Sequence, residues 1–135
     1  MAGYSGTPLS KKLGIKDGFK LYVKNPPPNY RQLLQPLPKD LTITTRLASG
    51  LDMAHFFTRK RAELEAGLKT LLTKIKQDGM IWVSWPKKSS RVETDITEDT
   101  IRAVALPLGL VDIKVCAVDD VWSGLKLVIR KEKRK

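Results

Sequence analysis

The side chains best suited to catalysis or metal binding are few in this sequence. There is one histidine, His55, and one cysteine, Cys116. A zinc site needs several such ligands and an internal disulfide needs a second cysteine, so neither is expected. Both residues lie inside apolar runs. This setting predicts a hydrogen-bonded core histidine and a buried thiol, rather than a catalytic base and a nucleophile.

Two pairs of adjacent carboxylates are the next candidates, Glu98-Asp99 and Asp119-Asp120. The first pair follows Thr97 at the expected start of a helix, where the helix dipole stabilises acidic side chains without any catalytic role. Residues adjacent in sequence also do not face one another on a helix. No phosphate-binding glycine loop and no Gly-x-Ser-x-Gly motif is present. No complete catalytic motif is therefore identified.

The chain is strongly basic, with a net charge of +11 and an isoelectric point near 9.9. More than a third of the excess lies in residues 130–135, which we expect to form a flexible tail. The remaining cations form small clusters along the chain, such as Arg59-Lys60-Arg61, with no arginine-rich helix. This distribution favours a solvated basic surface. Weak nucleic-acid binding through the tail is an alternative.

Segments with strand and helix patterns alternate along the chain. Short helices are predicted near 9–13 and 30–35, a long one from Thr58 to Ile75 closed by Asp78-Gly79, and one capped by Thr97. Strands are predicted at 19–23, 41–45, 51–57, 80–85, 111–118 and 125–129. Nearly continuous apolar strands between helices predict a mostly parallel sheet with helices on both faces.

The predicted fold class is therefore α/β, a Rossmann-like three-layer sandwich in one domain over residues 1–129. The sheet has six strands, of which the last is antiparallel because only a short polar connector precedes it. No apolar run is long enough for a membrane span, and the N-terminus lacks the pattern of a signal peptide. We therefore expect a cytoplasmic protein.

Several longer segments resemble a bacterial family known only as a domain of unknown function, and the order of elements is similar to the second half of class I methyltransferases. The resemblance implies the strand order 41, 19, 51, 80, 125, 111, each strand given by its first residue. It implies no catalytic residues. It rests on Leu13–Lys16, Asp78–Lys88, Thr94–Asp99, Gly109–Asp119 and Trp122–Lys126.

The cofactor of that class has no obvious place in this sequence. A methyltransferase needs a glycine-rich turn after its first strand and an acidic residue after its second, as dinucleotide-binding folds do. Here the two positions hold Lys24–Pro28 and Thr45-Arg46. Prolines restrict the backbone and arginine cannot accept a ribose hydrogen bond. The sequence therefore predicts no cofactor and disfavours both S-adenosylmethionine and NAD.

A ligand is nevertheless expected at one edge of the sheet. In open parallel sheets, ligands bind at the carboxyl ends of the strands, where loops and helix N-termini converge. Two tryptophans and two lysines would lie together there and suit a small anionic ligand or a protein partner. An equal alternative is that Trp85 and Trp122 fill space left by a missing cofactor, while Trp82 belongs to the core. The candidate ligand-binding residues are Asn25, Tyr30, Trp85, Lys87, Lys88, Asp119, Trp122 and Ser123.

The sequence patterns that predict the fold are complete, whereas the loop that would hold the cofactor is altered. This combination predicts a non-catalytic binding or regulatory module. The alternative is a divergent transferase that acts on an anionic substrate at the same edge of the sheet.

Overall fold

The computed structural model describes residues 6–135, which form a single six-stranded sheet with helices on both faces. The strands are β1 (Lys20–Lys24), β2 (Thr42–Thr44), β3 (Leu51–Phe57), β4 (Ile75–Pro86), β5 (Leu110–Ala117) and β6 (Trp122–Ile129). The helices are α1 (Leu9–Lys12), α2 (Tyr30–Leu33), α3 (Arg61–Leu72) and α4 (Glu98–Ala105). Short 3-10 turns follow at Lys88–Ser90, Leu106–Leu108 and Lys131–Lys133.

The strand order is β2-β1-β3-β4-β6-β5, as the resemblance implied. The strands β1 to β4 pair in parallel, and β6 pairs antiparallel with both β4 and β5. A short connector can join only antiparallel neighbours, so the tight turn between β5 and β6 fixes the direction of the last strand. The predicted Rossmann-like α/β class is confirmed.

Each face of the sheet carries its own apolar core. On one face, α3 and α4 cover Phe56, Val83 and Leu125. On the other, α1 and α2 cover Met53 and Trp82. Successive strand residues point to opposite faces, so strands buried on both sides must be apolar almost throughout. This requirement explains why β3 is apolar at nearly every position.

The boundary between α3 and β4 differs from the prediction. The helix ends at Leu72, and Ile75 already pairs with Leu51 of β3. The register then shifts, so that Met53 pairs with Met80. At Gly79, an added Cβ would lie 3.0 Å from the carbonyl oxygen of Lys76 and 3.1 Å from that of Leu51. Asp78-Gly79 therefore belongs to a bulge inside a long strand and does not end the helix.

The start of α4 follows the prediction. The Thr97 hydroxyl accepts a hydrogen bond from the Thr100 amide at 3.3 Å, and Glu98 and Asp99 occupy the first turn. Gly109 adopts a positive φ of 86° just after the 3-10 turn that extends the helix. The last strand is longer than predicted, since β6 begins at Trp122.

The C-terminal residues make several contacts in this structure. The Arg130 amide donates to the carbonyl of Gly109 at 3.0 Å, and the Lys135 amide donates to Gln77 Oε1 at 3.0 Å. The flexibility of residues 130–135 and the domain boundary at 129 stay predictions. In residues 6–135, no helix has the length and apolar character that crossing a membrane requires.

Candidate functional site

A crevice lies at the carboxyl ends of β1 and β3. The chain leaves β1 through α2 on one face of the sheet and returns through β3 to α3 on the other face, so this is the point where the winding reverses. Ligands of open α/β sheets bind at such points. The cavity has a volume of about 440 Å³. We call it the switch-point crevice, and its lining residues are Asn25, Phe57, Thr58, Arg59, Lys60, Glu63 and Trp122.

Asn25 directly follows β1 and adopts a left-handed conformation, with a φ of 57°. Among non-glycine residues, asparagine is one of the few that adopt this conformation readily. Its Nδ2 donates to the carbonyl of Phe57 at 3.1 Å and approaches Glu63 Oε1 at 3.5 Å. The turn after β1 thus takes a glycine-like backbone conformation without a glycine, and its side chain fixes the distance to β3.

Glu63 of α3 accepts hydrogen bonds from the residues that directly follow β1 and β3. The Thr58 hydroxyl donates to Glu63 Oε1 at 2.5 Å, in addition to the contact from Asn25. Both hydrogen bonds end on the same oxygen, so Oε2 makes none within residues 6–135. A carboxylate on the first turn of α3 is therefore held in place with one oxygen available for a cationic group of a ligand.

Two cations and an aromatic ring complete the crevice. Arg59 and Lys60 are exposed and precede the first residue of α3. The half-buried ring of Trp122 stands edge-on to Phe57, with 5.1 Å between ring centroids and an interplanar angle of 89°. The crevice therefore offers positive charge, negative charge and a flat apolar surface within one cavity.

Beneath the crevice lies a buried chain of hydrogen bonds through the only histidine. The Tyr30 hydroxyl is 2.8 Å from His55 Nδ1, and the Ser84 hydroxyl is 2.7 Å from His55 Nε2. All three side chains are buried. Burial lowers the pKa of His55 to about 3 and raises the pKa of Tyr30 above its usual value. His55 is thus the neutral, satisfied core histidine that the sequence predicted.

The two tryptophans that the sequence places together at one edge of the sheet lie apart in the structure. Trp85 pairs with Ser123, whereas Trp122 pairs with Pro86, one position further along β4. Side chains alternate along a strand, so the two tryptophans lie on opposite faces. Trp85 is 7% exposed and belongs to the core under α3 and α4. The expectation that both tryptophans share a ligand-facing surface is wrong.

Three further candidates, Lys87, Lys88 and Asp119, lie outside the switch-point crevice. Lys87 and Lys88 follow β4 and do not line the crevice. The Asp119 carboxylate accepts from the amides of Val121 and Trp122, both at 2.8 Å, and so closes the turn between β5 and β6. Of the eight candidates, Asn25 and Trp122 line the switch-point crevice. Ligand binding by any of them stays a prediction.

The sequence analysis does not select Thr58, Arg59, Lys60 or Glu63 as candidate ligand-binding residues. The signal was available in part, because basic residues directly after a central strand of a parallel sheet lie at its carboxyl edge. The contact between Glu63 and Asn25 spans 38 residues. No local pattern reports a contact of that separation.

A larger cavity of about 520 Å³ lies at the opposite edge of the sheet. Its lining includes Leu72, Ile75 and Ile129, with Lys133 and Lys135 at its margin. At this edge the helices end, so backbone carbonyls rather than N–H groups are presented. Among residues 6–135, no acidic side chain lines this cavity, and it lies away from the point where the winding reverses. We therefore regard the switch-point crevice as the better candidate site.

Solved structures similar to this chain share its fold across most of its length. A SAM-dependent methyltransferase from Aquifex aeolicus is 12% identical, with a TM-score of 0.67 over 90% of this chain and 88% of that one. Fibrillarin from Aeropyrum pernix, with natively bound S-adenosyl-L-methionine, is 15% identical, with a TM-score of 0.53 over 94% and 71%. The magnesium protoporphyrin IX methyltransferase from Synechocystis PCC 6803, with bound SAM, is 16% identical, with a TM-score of 0.52 over 75% and 53%.

The fold is that of the class I methyltransferases. No family model and no curated protein matches the sequence. The resemblance to the bacterial domain family of unknown function therefore stays a prediction. At these identities, the solved structures show the fold of this chain and leave its activity open.

The comparisons contradict the expectation that S-adenosylmethionine is disfavoured, since proteins of this fold hold that cofactor or its product in their structures. The expectation rests on three prolines where a glycine-rich turn is needed and on Arg46 where an acidic residue is needed. Asn25 adopts the positive φ that a glycine would supply. The solved structures do not bear on NAD.

Proposed function

We propose that this domain is a ligand-binding module that holds S-adenosylmethionine or S-adenosylhomocysteine in the switch-point crevice. The observation that carries the proposal is the coincidence of Arg59, Lys60 and Glu63 in one cavity at the β1/β3 edge. Such a set suits a zwitterion, because the cations bind a carboxylate and the glutamate binds an ammonium group.

The chemical groups of the proposed ligand match the crevice. Both S-adenosyl compounds carry an amino-acid end with a carboxylate and an ammonium, and a planar adenine at the other end. Trp122 offers the flat surface on which a nucleobase can pack. The cavity volume of about 440 Å³ is in the range of small-molecule sites. The solved structures of the same fold with bound SAM or SAH add support.

A binding role is favoured over catalysis because neither the histidine nor the cysteine is available to a ligand in the crevice. His55 is enclosed by Tyr30 and Ser84, and its low pKa keeps it neutral. Cys116 lies on β5, away from the crevice lining, and burial raises the pKa of its thiol. Proton transfer needs a group of suitable pKa within hydrogen-bond reach of the substrate. Neither residue meets that requirement.

Isothermal titration calorimetry with S-adenosylhomocysteine tests the proposal. We expect binding that weakens about 10-fold or more in Glu63→Gln and in Lys60→Gln, because each removes one half of the zwitterion contact. Matched controls are Glu65→Gln and Lys69→Gln, which change the same residue types on α3 outside the crevice. No heat of binding at millimolar ligand, or equal losses in the controls, would reject the proposal.

A divergent transferase is the second candidate, since positioning of two substrates accelerates group transfer even without a base. The cations that follow β4, Lys87 and Lys88, favour an anionic acceptor. The same protein preparation distinguishes the candidates. Formation of S-adenosylhomocysteine from bound S-adenosylmethionine in the presence of an acceptor supports the transferase, whereas binding without turnover supports the module.

A further inference from the structure

Three lysines from different parts of the sequence lie together on the face of the sheet that α1 and α2 partly cover. Lys114 of β5 and Lys126 of β6 are directly paired across the two antiparallel strands. Lys16 follows α1, and its charge acts on Lys126. The Lys126 ammonium lies 3.6 Å from the position that a Cβ on Gly14 would take. We call these three residues the lysine cluster.

The charges of the lysine cluster oppose one another. Burial lowers the pKa of Lys126, and the neighbouring charges of Lys114 and Lys16 lower it further. Lys114 donates to the backbone carbonyl of Lys12 at 2.9 Å, which is a neutral partner. Within residues 6–135, none of the three lysines forms a salt bridge with a carboxylate.

Like charges directly opposite in a sheet are unfavourable for the folded chain. Arg102, by contrast, has three carboxylates, Glu98, Asp99 and Asp112, within 3.1 Å. Within residues 6–135, the chain therefore surrounds Arg102 with carboxylates on the α4 side of the sheet and pairs none of the three clustered lysines with one. An anion bound over the lysine cluster would relieve the repulsion.

The position of the three ammonium groups outside the two cavities favours an extended anion over a small enclosed one. The three ammonium groups come from a loop and two strands, and they lie outside both cavities described above. Lysine is a compact point charge that binds phosphate without the fixed geometry of arginine. The net charge of +11 adds long-range attraction for a polyanion.

From this geometry we propose that the lysine cluster binds the phosphate backbone of a nucleic acid without reading its sequence. Binding of this kind releases counterions, so its affinity falls steeply with salt. The site is separate from the switch-point crevice and does not depend on the proposed S-adenosyl ligand.

Fluorescence anisotropy with a labelled 20-nucleotide duplex DNA and a labelled single-stranded RNA of the same length, both at low salt, tests the proposal. The double variant Lys114→Gln with Lys126→Gln should weaken binding of the duplex about 10-fold or more. It should reduce the slope of log affinity against log salt by about 2, since each lost phosphate contact removes about 0.9. Lys16→Gln alone should give a smaller loss of the same kind.

The matched control is Lys39→Gln with Lys69→Gln, which removes the same charge from exposed positions outside the lysine cluster. It should leave the slope nearly unchanged. Equal losses in the two double variants would overturn the proposal in favour of a general charge effect. Competition by polyglutamate as strong as by unlabelled DNA, or retention only on anionic lipid vesicles, would also overturn it. Thermal unfolding checks that each variant is folded.

Discussion

His55 illustrates how a titratable side chain is tolerated in a core. A neutral imidazole has one donor and one acceptor nitrogen, and the hydroxyls of Tyr30 and Ser84 can satisfy both. The ring also stacks on Phe57, with 4.2 Å between centroids. Protonation would place an unpaired charge among these groups, which is why burial lowers the pKa of His55 to about 3.

This arrangement predicts a pH-dependent stability. Between pH 6.5 and 3 the unfolded chain binds a proton at His55 and the folded chain does not, so the free energy of unfolding falls as pH decreases through this range. The slope is at most about 1.4 kcal/mol per pH unit for one group. Urea unfolding at pH 7, 6 and 5 measures it, in a window above the usual pKa of the carboxylates.

His55→Gln should flatten that slope, because glutamine does not titrate, although the variant is less stable at every pH. Tyr30→Phe serves as the control, since it removes a hydroxyl from the same network and keeps the histidine. An unchanged slope in His55→Gln would show that other groups cause the dependence.

Asn25 shows where reasoning at the residue scale failed. The sequence has prolines and no glycine after β1, and this composition argues against the cofactor. The folded chain places Asn25 in the left-handed region and ties its side chain to Phe57. Which residue of a loop takes the positive φ depends on the contacts around it, so composition alone misjudged the turn.

At the scale of elements, α3 and β3 approach closely at Gly67. A Cβ at this position would overlap Cε2 and Cζ of Phe56, whose side chain is fully buried. Glycine in a helix interior ordinarily costs about 0.5–1 kcal/mol relative to alanine. It is retained here because the helix could not otherwise lie against the sheet at this distance.

Gly67→Ala should therefore destabilise the protein, although it raises helix propensity. Overpacking typically costs about 1–3 kcal/mol and exceeds the gain in propensity. Denaturant unfolding measures the change. Ala66→Gly on the exposed side of the same helix controls for propensity. Adding Phe56→Leu should recover part of the loss, and a stabilised Gly67→Ala protein would contradict the packing argument.

The β4 strand shows the limit of local patterns at the same scale. Leu68, Leu71 and Ile75 continue a helical spacing, which predicted one long helix. In the structure Ile75 pairs with Leu51 instead. Pairing with β3 decides the boundary, because the strand gains hydrogen bonds and buried surface that an extra helical turn at this place would lack.

At the scale of the whole molecule, the net charge of +11 predicts that the stability of the folded chain depends on salt concentration. Self-repulsion opposes the compact state and is screened by salt within about 10 Å at 0.1 M. Exposed ion pairs such as Arg61 with Glu65 contribute little to offset it.

The melting temperature should therefore rise by about 3 °C or more between 10 and 300 mM NaCl, which corresponds to roughly 1 kcal/mol. Differential scanning calorimetry measures this shift. The Lys114→Gln, Lys126→Gln variant should show a smaller rise than the Lys39→Gln, Lys69→Gln variant, because the first removes charges that face one another. A melting temperature that falls with salt would contradict this account.

The resemblance to class I methyltransferases implied the order of the strands. The sequence by itself determined the fold class, the six strands, the cap at Thr97 and the core positions of His55 and Trp82. These features follow from periodicity and turn chemistry, which act over a few residues, and from the rules of parallel-sheet winding. Only the tertiary structure decided which side chains meet. It joined Asn25 to Glu63, paired Lys114 with Lys126 and placed Trp85 and Trp122 on opposite faces. Register and long-range packing set those contacts, and a shift of one residue moves a side chain to the other face of the sheet.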